Sequence, residues 1–324
     1  VLIVEFFSCR PLVFIKYFKS NLSQLLKAIS LADYLAENIR EISSEEKLFY
    51  SYWMNNWALM CAVMKYRKKI NRFIFRVHGY DLYDYLRPDN YIPFKKFNMK
   101  MSASVYTACK AAADYLRGRK VFPEKVKTSC LGVFDNGLNP YNPIEKFTLV
   151  SCSSLNIYKR VDKIIEVLKH IDFPLKWIHF GGQGDGLSVE QFKELCKKLN
   201  PNIQYEFRGA VSNKTLINFY KKNSVNLFIH LTFTEGGVPV VLQEAASFGI
   251  PMLSTKTGGV PEIVNANTGI LMEKEFDVIH AARIISEYRG SSMNTIEFRN
   301  KVRKYWEENF NAVDNYKKFY SEIV

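Results

Sequence analysis

From residue 147 onward, short apolar runs alternate with amphipathic stretches. FTLVSCS (147–153), LKWIHFGG (175–182), IQYEFRG (203–209), NLFIHL (226–231), PMLST (251–255) and GILM (269–272) have the length and apolar content of strands. Between and after them, KRVDKIIEVLKHI (159–171), SVEQFKELCKKL (188–199), NKTLINFYKK (213–222) and DVIHAARIISEY (277–288) show helical spacing. Strands that alternate with helices of this length predict βαβ units and an α/β fold with a parallel sheet. Strands apolar along nearly their whole length predict a sheet covered on both faces.

The first half is less regular. FIFRVHG (73–79) and SVYTAC (104–109) read as strands, and SNLSQLLKAISLADYLAENI (20–39) and WALMCAVMKYRKK (57–69) as helices. A chain of 324 residues exceeds one typical core and predicts two domains. LGVFDNGLNPYNPIEK (131–146), rich in Gly, Pro and Asn, reads as the linker. The expected division is 1–138, 139–292, and a terminal pair of helices over 293–324 that crosses back toward the first domain.

Composition adds exclusions. WALMCAVM (57–64) is far short of the roughly 20 apolar residues of a membrane-spanning helix. The opening VLIVEFFSCRPLVFI is interrupted by Glu5 and Arg10 and lacks a small-residue cleavage site, so it does not read as a signal peptide. Six cysteines (9, 61, 109, 130, 152, 196) with no pair at two-residue spacing point to reduced thiols in the cytoplasm and away from zinc or disulfide frameworks. Residues 1–138 hold 22 Lys and Arg against 12 Asp and Glu, a balance of +10 out of the net +13. That asymmetry fits either a plainly basic surface or an anionic membrane face. No zinc finger, ribonucleoprotein motif or basic heptad supports nucleic acid as a partner.

The candidate chemistry centres on TEGGVPVVLQEAASFGIP (234–251), which follows the strand-like NLFIHL. In an open parallel sheet, ligands sit beyond the carboxyl ends of strands, where helix N-termini offer free N–H groups. Glu235 and Glu244 flank a turn in which Gly236 and Gly237 let backbone approach a ligand and Val238-Pro239 leads into a helix. Carboxylates so placed suit hydrogen bonds from sugar or ribose hydroxyls; capping and solvation are the plainer roles for such residues. FGGQGDG (180–186), containing Gly182, forms either a phosphate nest or a simple tight turn.

The block TEGGVPVVLQEAASFGIPMLSTKTGGVPEIV (234–264) resembles the donor-site signature of glycosyltransferase family 4, retaining enzymes that use nucleotide-diphospho-sugars. SCSSLNIYKRVDKIIEVL (151–168), RVHGYDLYDYL (76–86) and YTACKAAADYLRGRKVFPEKVKTSCLGVFD (106–135) extend the resemblance over roughly residues 50–324. It implies the GT-B fold: two Rossmann-like domains with parallel sheets facing across a cleft, acceptor side first and donor side second. By the same resemblance, Glu235 contacts the transferred sugar, Glu244 binds the ribose hydroxyls, and Lys159 neutralises the diphosphate. His78 faces the donor from the first domain. Thr257, Gly258 and Gly259 would offer N–H groups to the diphosphate, and Asp81 is a weaker match than His78.

The sequence departs from the family in three ways. Residues 236–243 put one residue more than the usual spacing between the glutamates, and Glu235, rather than Gly236, is taken as the functional position. Ser154 stands where an arginine is common, leaving Arg160 as the candidate second cation. The opening strand and glycine-rich loop of the acceptor-side domain have no counterpart before residue 50, so that domain reads as incomplete. No Asp-x-Asp motif occurs, and no metal or other cofactor is expected beside the nucleotide-sugar substrate. The resulting expectation is a cytoplasmic, peripherally membrane-bound glycosyltransferase acting on a glycan or lipid-linked acceptor in polysaccharide synthesis. A non-catalytic GT-B subunit that binds nucleotide or a partner enzyme is the alternative, and an epimerase of the same fold is disfavoured by the 234–264 block.

Overall fold

A computed structural model describes all residues except 8, 9, 40, 44 and 143–145. Cys9 and three residues of the expected linker therefore lie outside the described residues. The chain forms two compact units, Val1–Ser129 and Cys130–Val324.

The first unit contains four parallel strands, β1 (Leu48–Ser51), β2 (Arg72–Val77), β3 (Ser104–Thr107) and β4 (Val126–Thr128), in the order β1-β2-β3-β4. Phe73, Phe75 and Val77 of β2 and Val105 of β3 are buried. A 28-residue helix, Pro11–Asn38, starts with proline at its first position, where the missing N–H costs nothing. Helix Asn56–Tyr66 is capped by the Asn55 side chain, which accepts from Trp57 N, and is buried from Ala58 to Met64.

The second unit contains six parallel strands, β5 (Phe147–Cys152), β6 (Leu175–Phe180), β7 (Ile203–Phe207), β8 (Leu227–His230), β9 (Met252–Thr255) and β10 (Gly269–Met272), in the order β10-β9-β8-β5-β6-β7. Every apolar run read as a strand in this half is one. Three of the helices that follow the strands are capped at their starts by side chains: Ser188 with Gln191, Ser212 on Thr215 N, and Asp277 on His280 N. One hydrophobic core runs through this unit, with Trp177, Leu149, Leu227 and Ile229 fully buried.

The strand order reverses between β5 and β8, which pair at Leu149↔Leu227 and Val150↔Phe228. This is the topological switch point, where the loops leaving β5 and β8 diverge and open a crevice beyond the strands' carboxyl ends.

The division between units falls at Ser129/Cys130, ahead of the expected residue 138, because the intervening segment is stitched to the last two helices. Val133 bridges to Asn311, and Asp135 pairs with Arg303 at 2.5 Å. Asn139 donates to Tyr220 O at 2.5 Å and accepts from Arg299 at 2.7 Å. Helices Ile296–Phe310 and Ala312–Ile323 belong to this second unit. Among the described residues no helix is long and apolar enough to cross a membrane.

Candidate functional site

The loop leaving β5 reaches the one-turn helix Ile157–Lys159, whose start is capped by Asn156 Oδ1 accepting from Lys159 N at 3.1 Å. The loop leaving β8 carries Glu235. Lys159 Nζ donates to Glu235 Oε1, and the ring Nε2 of His230, the last residue of β8, lies 2.8 Å from the same oxygen. Oε2 carries no hydrogen bond among the described residues. Burial acts to raise the pKa of Glu235. The His230 hydrogen bond and charge, together with Lys159, outweigh it and hold the carboxyl down to about 2. Glu235 is thus an anion with one oxygen doubly held and the other open.

Arg160 follows in the left-handed region at φ 48°, an uncommon conformation for a side-chain-bearing residue. Its guanidinium donates to Leu231 O at 2.7 Å, Thr232 O at 3.1 Å and Lys274 O at 2.9 Å. The side chain considered as a second cation is therefore occupied in tying together the loops that leave β8 and β10.

Two glycines explain how the neighbouring loops come so close. Gly258 has φ +49°, and a Cβ there would lie 2.0 Å from Glu235 O. Gly259 lies against Gly237 in the same way, so Thr257–Gly259 forms a floor under Glu235–Val238. The Thr257 hydroxyl is buried there with no hydrogen-bond partner among the described residues. Gln243 Nε2 donates to Val238 O at 3.0 Å and fixes the end of the turn, before Pro239 opens the helix Val240–Ser247.

Glu244 lies in that helix, 6% exposed, with Oε1 accepting from Asn213 Nδ2 at 2.5 Å and Oε2 without a hydrogen bond among the described residues. Burial raises its pKa, and the Asn213 bond opposes the rise. It borders a cavity of about 540 Å³ whose wall includes Cys152, Ser153, Gly181, Gly182 and Asn213. Gly181, at φ +147°, is required there because a Cβ would strike Ser153 O. Its N–H donates to Gly209 O and that of Gly186 to Leu155 O, so the glycine turn is packed against the β5 loop as well as lining the cavity.

His78 belongs to the first unit, just after β2. Its Nε2 lies 3.0 Å from Tyr52 O and its ring is 4.1 Å from that of Trp53. Burial pushes its pKa down to about 4, so the ring is neutral at pH 7. Asp81 accepts from His78 N at 2.6 Å and Met54 N at 2.7 Å, and burial pushes its carboxyl up to about 6.

The structure thus brings Lys159 to Glu235 and sets Glu244 on the wall of a separate cavity at the same sheet edge. Sequence reasoning missed His230 and Asn213. His230 looks like the end of an apolar strand and Asn213 like a helix start; only the spacing of five residues between His230 and Glu235 hinted at a contact.

The fold is that of the GT-B glycosyltransferases. The chain belongs to the family described as glycosyl transferases group 1, whose model matches residues 140–308. Protein CapJ of Staphylococcus aureus is 30% identical over 151 residues, 43% of this chain and 37% of CapJ. The phosphatidylinositol N-acetylglucosaminyltransferase gpi3 subunit of Schizosaccharomyces pombe is 27% identical over 161 residues, 49% of this chain and 35% of that one. The match therefore spans little more than a third of either relative. Among solved structures, the lipopolysaccharide outer core galactosyltransferase WaaB in its apo form has a TM-score of 0.72 at 12% identity, over 94% of this chain and 82% of that one. HepE of Anabaena in complex with UDP has a TM-score of 0.69 at 16% identity, over 91% and 81%.

Proposed function

We propose that the chain transfers a hexose from a nucleotide-diphospho-sugar to a glycan or lipid-linked acceptor with retention of configuration and without a metal ion. The observation that carries this reading is the Lys159–Glu235 pair at the switch point of a group 1 glycosyltransferase sheet. Breaking a sugar–phosphate bond builds charge on the departing phosphate, and a fixed cation stabilises it. Lys159 is that cation: on donor entry its ammonium exchanges the Glu235 carboxylate for the diphosphate. His230 stays on Oε1 and keeps Glu235 oriented, while Oε2 accepts a hydroxyl of the sugar. Glu244, held by Asn213, accepts the ribose hydroxyls with its open oxygen. The glycines at 236, 237, 258 and 259 and the buried Thr257 hydroxyl face the diphosphate.

Solved relatives support a nucleotide-sugar donor: HepE structures hold UDP and UDP-glucose. The curated relatives, one of them a phosphatidylinositol N-acetylglucosaminyltransferase subunit, support a membrane-associated acceptor. The basic first unit exposes Leu12, Ile15 and Leu26 on its long helix, which supports peripheral contact with the anionic inner face of a membrane.

The test is release of nucleotide from UDP-glucose, UDP-galactose and UDP-N-acetylglucosamine. Lys159→Ala is expected to slow turnover at least about tenfold, or about 1.4 kcal/mol of barrier. Turnover unchanged by Lys159→Ala removes Lys159 from the reaction and with it this reading of the site.

A further inference from the structure

The carboxyl edge of the first unit's sheet carries four exposed aromatic side chains. Tyr50, Tyr52, Trp53 and Trp57 are 40, 41, 42 and 55% exposed, whereas the other two tryptophans, Trp177 and Trp306, are fully buried. The four rings lie where β1 ends and helix Asn56–Tyr66 begins, beside the exit of β2 that carries His78.

Each piece of this surface is held from behind. The Tyr50 hydroxyl accepts from the buried Arg76 Nε at 3.1 Å. Ser51 Oγ donates to Trp53 O at 2.6 Å, closing the bend after the strand. Asn55 Oδ1 accepts from Trp57 N at 3.0 Å, which fixes the first turn of the helix and the base of the Trp57 side chain. The Trp53 and Tyr52 rings pack against His78 with centroids 4.1 and 4.8 Å away. The aromatic faces border a cavity of about 310 Å³.

The chemistry of the wall selects the occupant. Exposed aromatic area in a cluster is unfavourable in water and marks a contact surface. No Lys, Arg, Asp or Glu stands among the described residues that line the cavity, so nothing there matches a phosphate or a carboxylate. The indole N–H groups of Trp53 and Trp57 and the Asn55 amide N–H₂ carry no hydrogen bond among the described residues. Flat apolar faces ringed by unused neutral donors match a pyranose, whose axial C–H bonds form an apolar face and whose rim is hydroxyl. A membrane surface would also take tryptophan and tyrosine. The long helix with Leu12 and Ile15 supplies that kind of contact elsewhere in the unit, with lysines around it.

We propose that the pocket between Tyr50 and Trp57 binds one neutral pyranose ring of the acceptor, stacked on Trp53 or Trp57. This rests on the glycosyltransferase reading and narrows it to an acceptor that carries a sugar near its reacting end.

Trp177 and Trp306 are buried away from any ligand, so a saccharide-induced change in tryptophan emission reports on Trp53 and Trp57. The full chain is titrated with methyl α-glucopyranoside, methyl α-galactopyranoside and N-acetylglucosamine, and separately with phosphatidylglycerol vesicles. At least one saccharide is expected to shift the emission saturably. Trp57→Ala should weaken that binding at least tenfold, and Trp57→Phe, which keeps the ring, should restore most of it. Thermal unfolding of each variant verifies the fold. No response to any of the three saccharides, an affinity measured by calorimetry that is unmoved in the Trp53→Ala/Trp57→Ala double variant, or a shift produced by vesicles alone overturns the proposal. UDP binding by the unaltered chain, followed by thermal shift, tests the donor reading independently. Its absence sinks that reading, whatever the saccharides do.

Discussion

Replacing Glu235 by glutamine removes the charge at the centre of the site while keeping its shape, and its effect on stability has a pH signature. The Glu235 carboxyl is depressed from an ordinary value of 4.5 to about 2 by His230 and Lys159. A depressed carboxyl contributes stability that is fully present above the unfolded value and is lost as pH falls toward the folded one. A shift of this size corresponds to about 3 kcal/mol in full, of which about 2 kcal/mol is gone by pH 3. Other carboxylates titrate in both proteins and cancel in the difference. Urea unfolding at pH 5, 4 and 3 measures it, in a Trp53→Phe/Trp57→Phe background so that Trp177 and Trp306 report the second unit alone. The advantage of Glu235 over Glu235→Gln should shrink by about 2 kcal/mol between pH 5 and pH 3. A difference that stays flat, or that grows on acidification, would refute the view that Glu235 is held as a buried, paired anion.

Two further outcomes follow from the geometry. Asn213→Ala removes the donor to Glu244, a bond to a charged group worth about 1.5–3 kcal/mol, and should weaken UDP affinity roughly tenfold by calorimetry with little change in fold. Gly258→Ala places a Cβ 2.0 Å from Glu235 O at a left-handed backbone position; it should lower the melting temperature and abolish UDP binding, whereas Gly290→Ala, where the added carbon meets nothing within 4 Å, should leave both unchanged.

The second unit was legible because most of its strands are apolar and buried and are separated by helices of ordinary length. In the first unit β1 and β4 escaped, since Tyr50 of LFYS and Lys127 of VKT are exposed and neither run is buried throughout. Lys159, Glu235 and Glu244 stand in local patterns, so they could be picked out in one dimension. His230 and Asn213 could not, because their meaning comes from which strand lies next to which. The domain boundary was misplaced for a related reason: residues 130–139 have the composition of a loop, and it is their pairing with distant helices that assigns them to the second unit.

Arg160 ties three strand exits into a single knot: it leaves β5 itself, and its guanidinium grips carbonyls beyond β8 and β10. Swapping only one of these segments for that of another family member would leave the other two gripping a mismatched neighbour. A successful graft therefore has to carry all three exits together with the arginine that binds them.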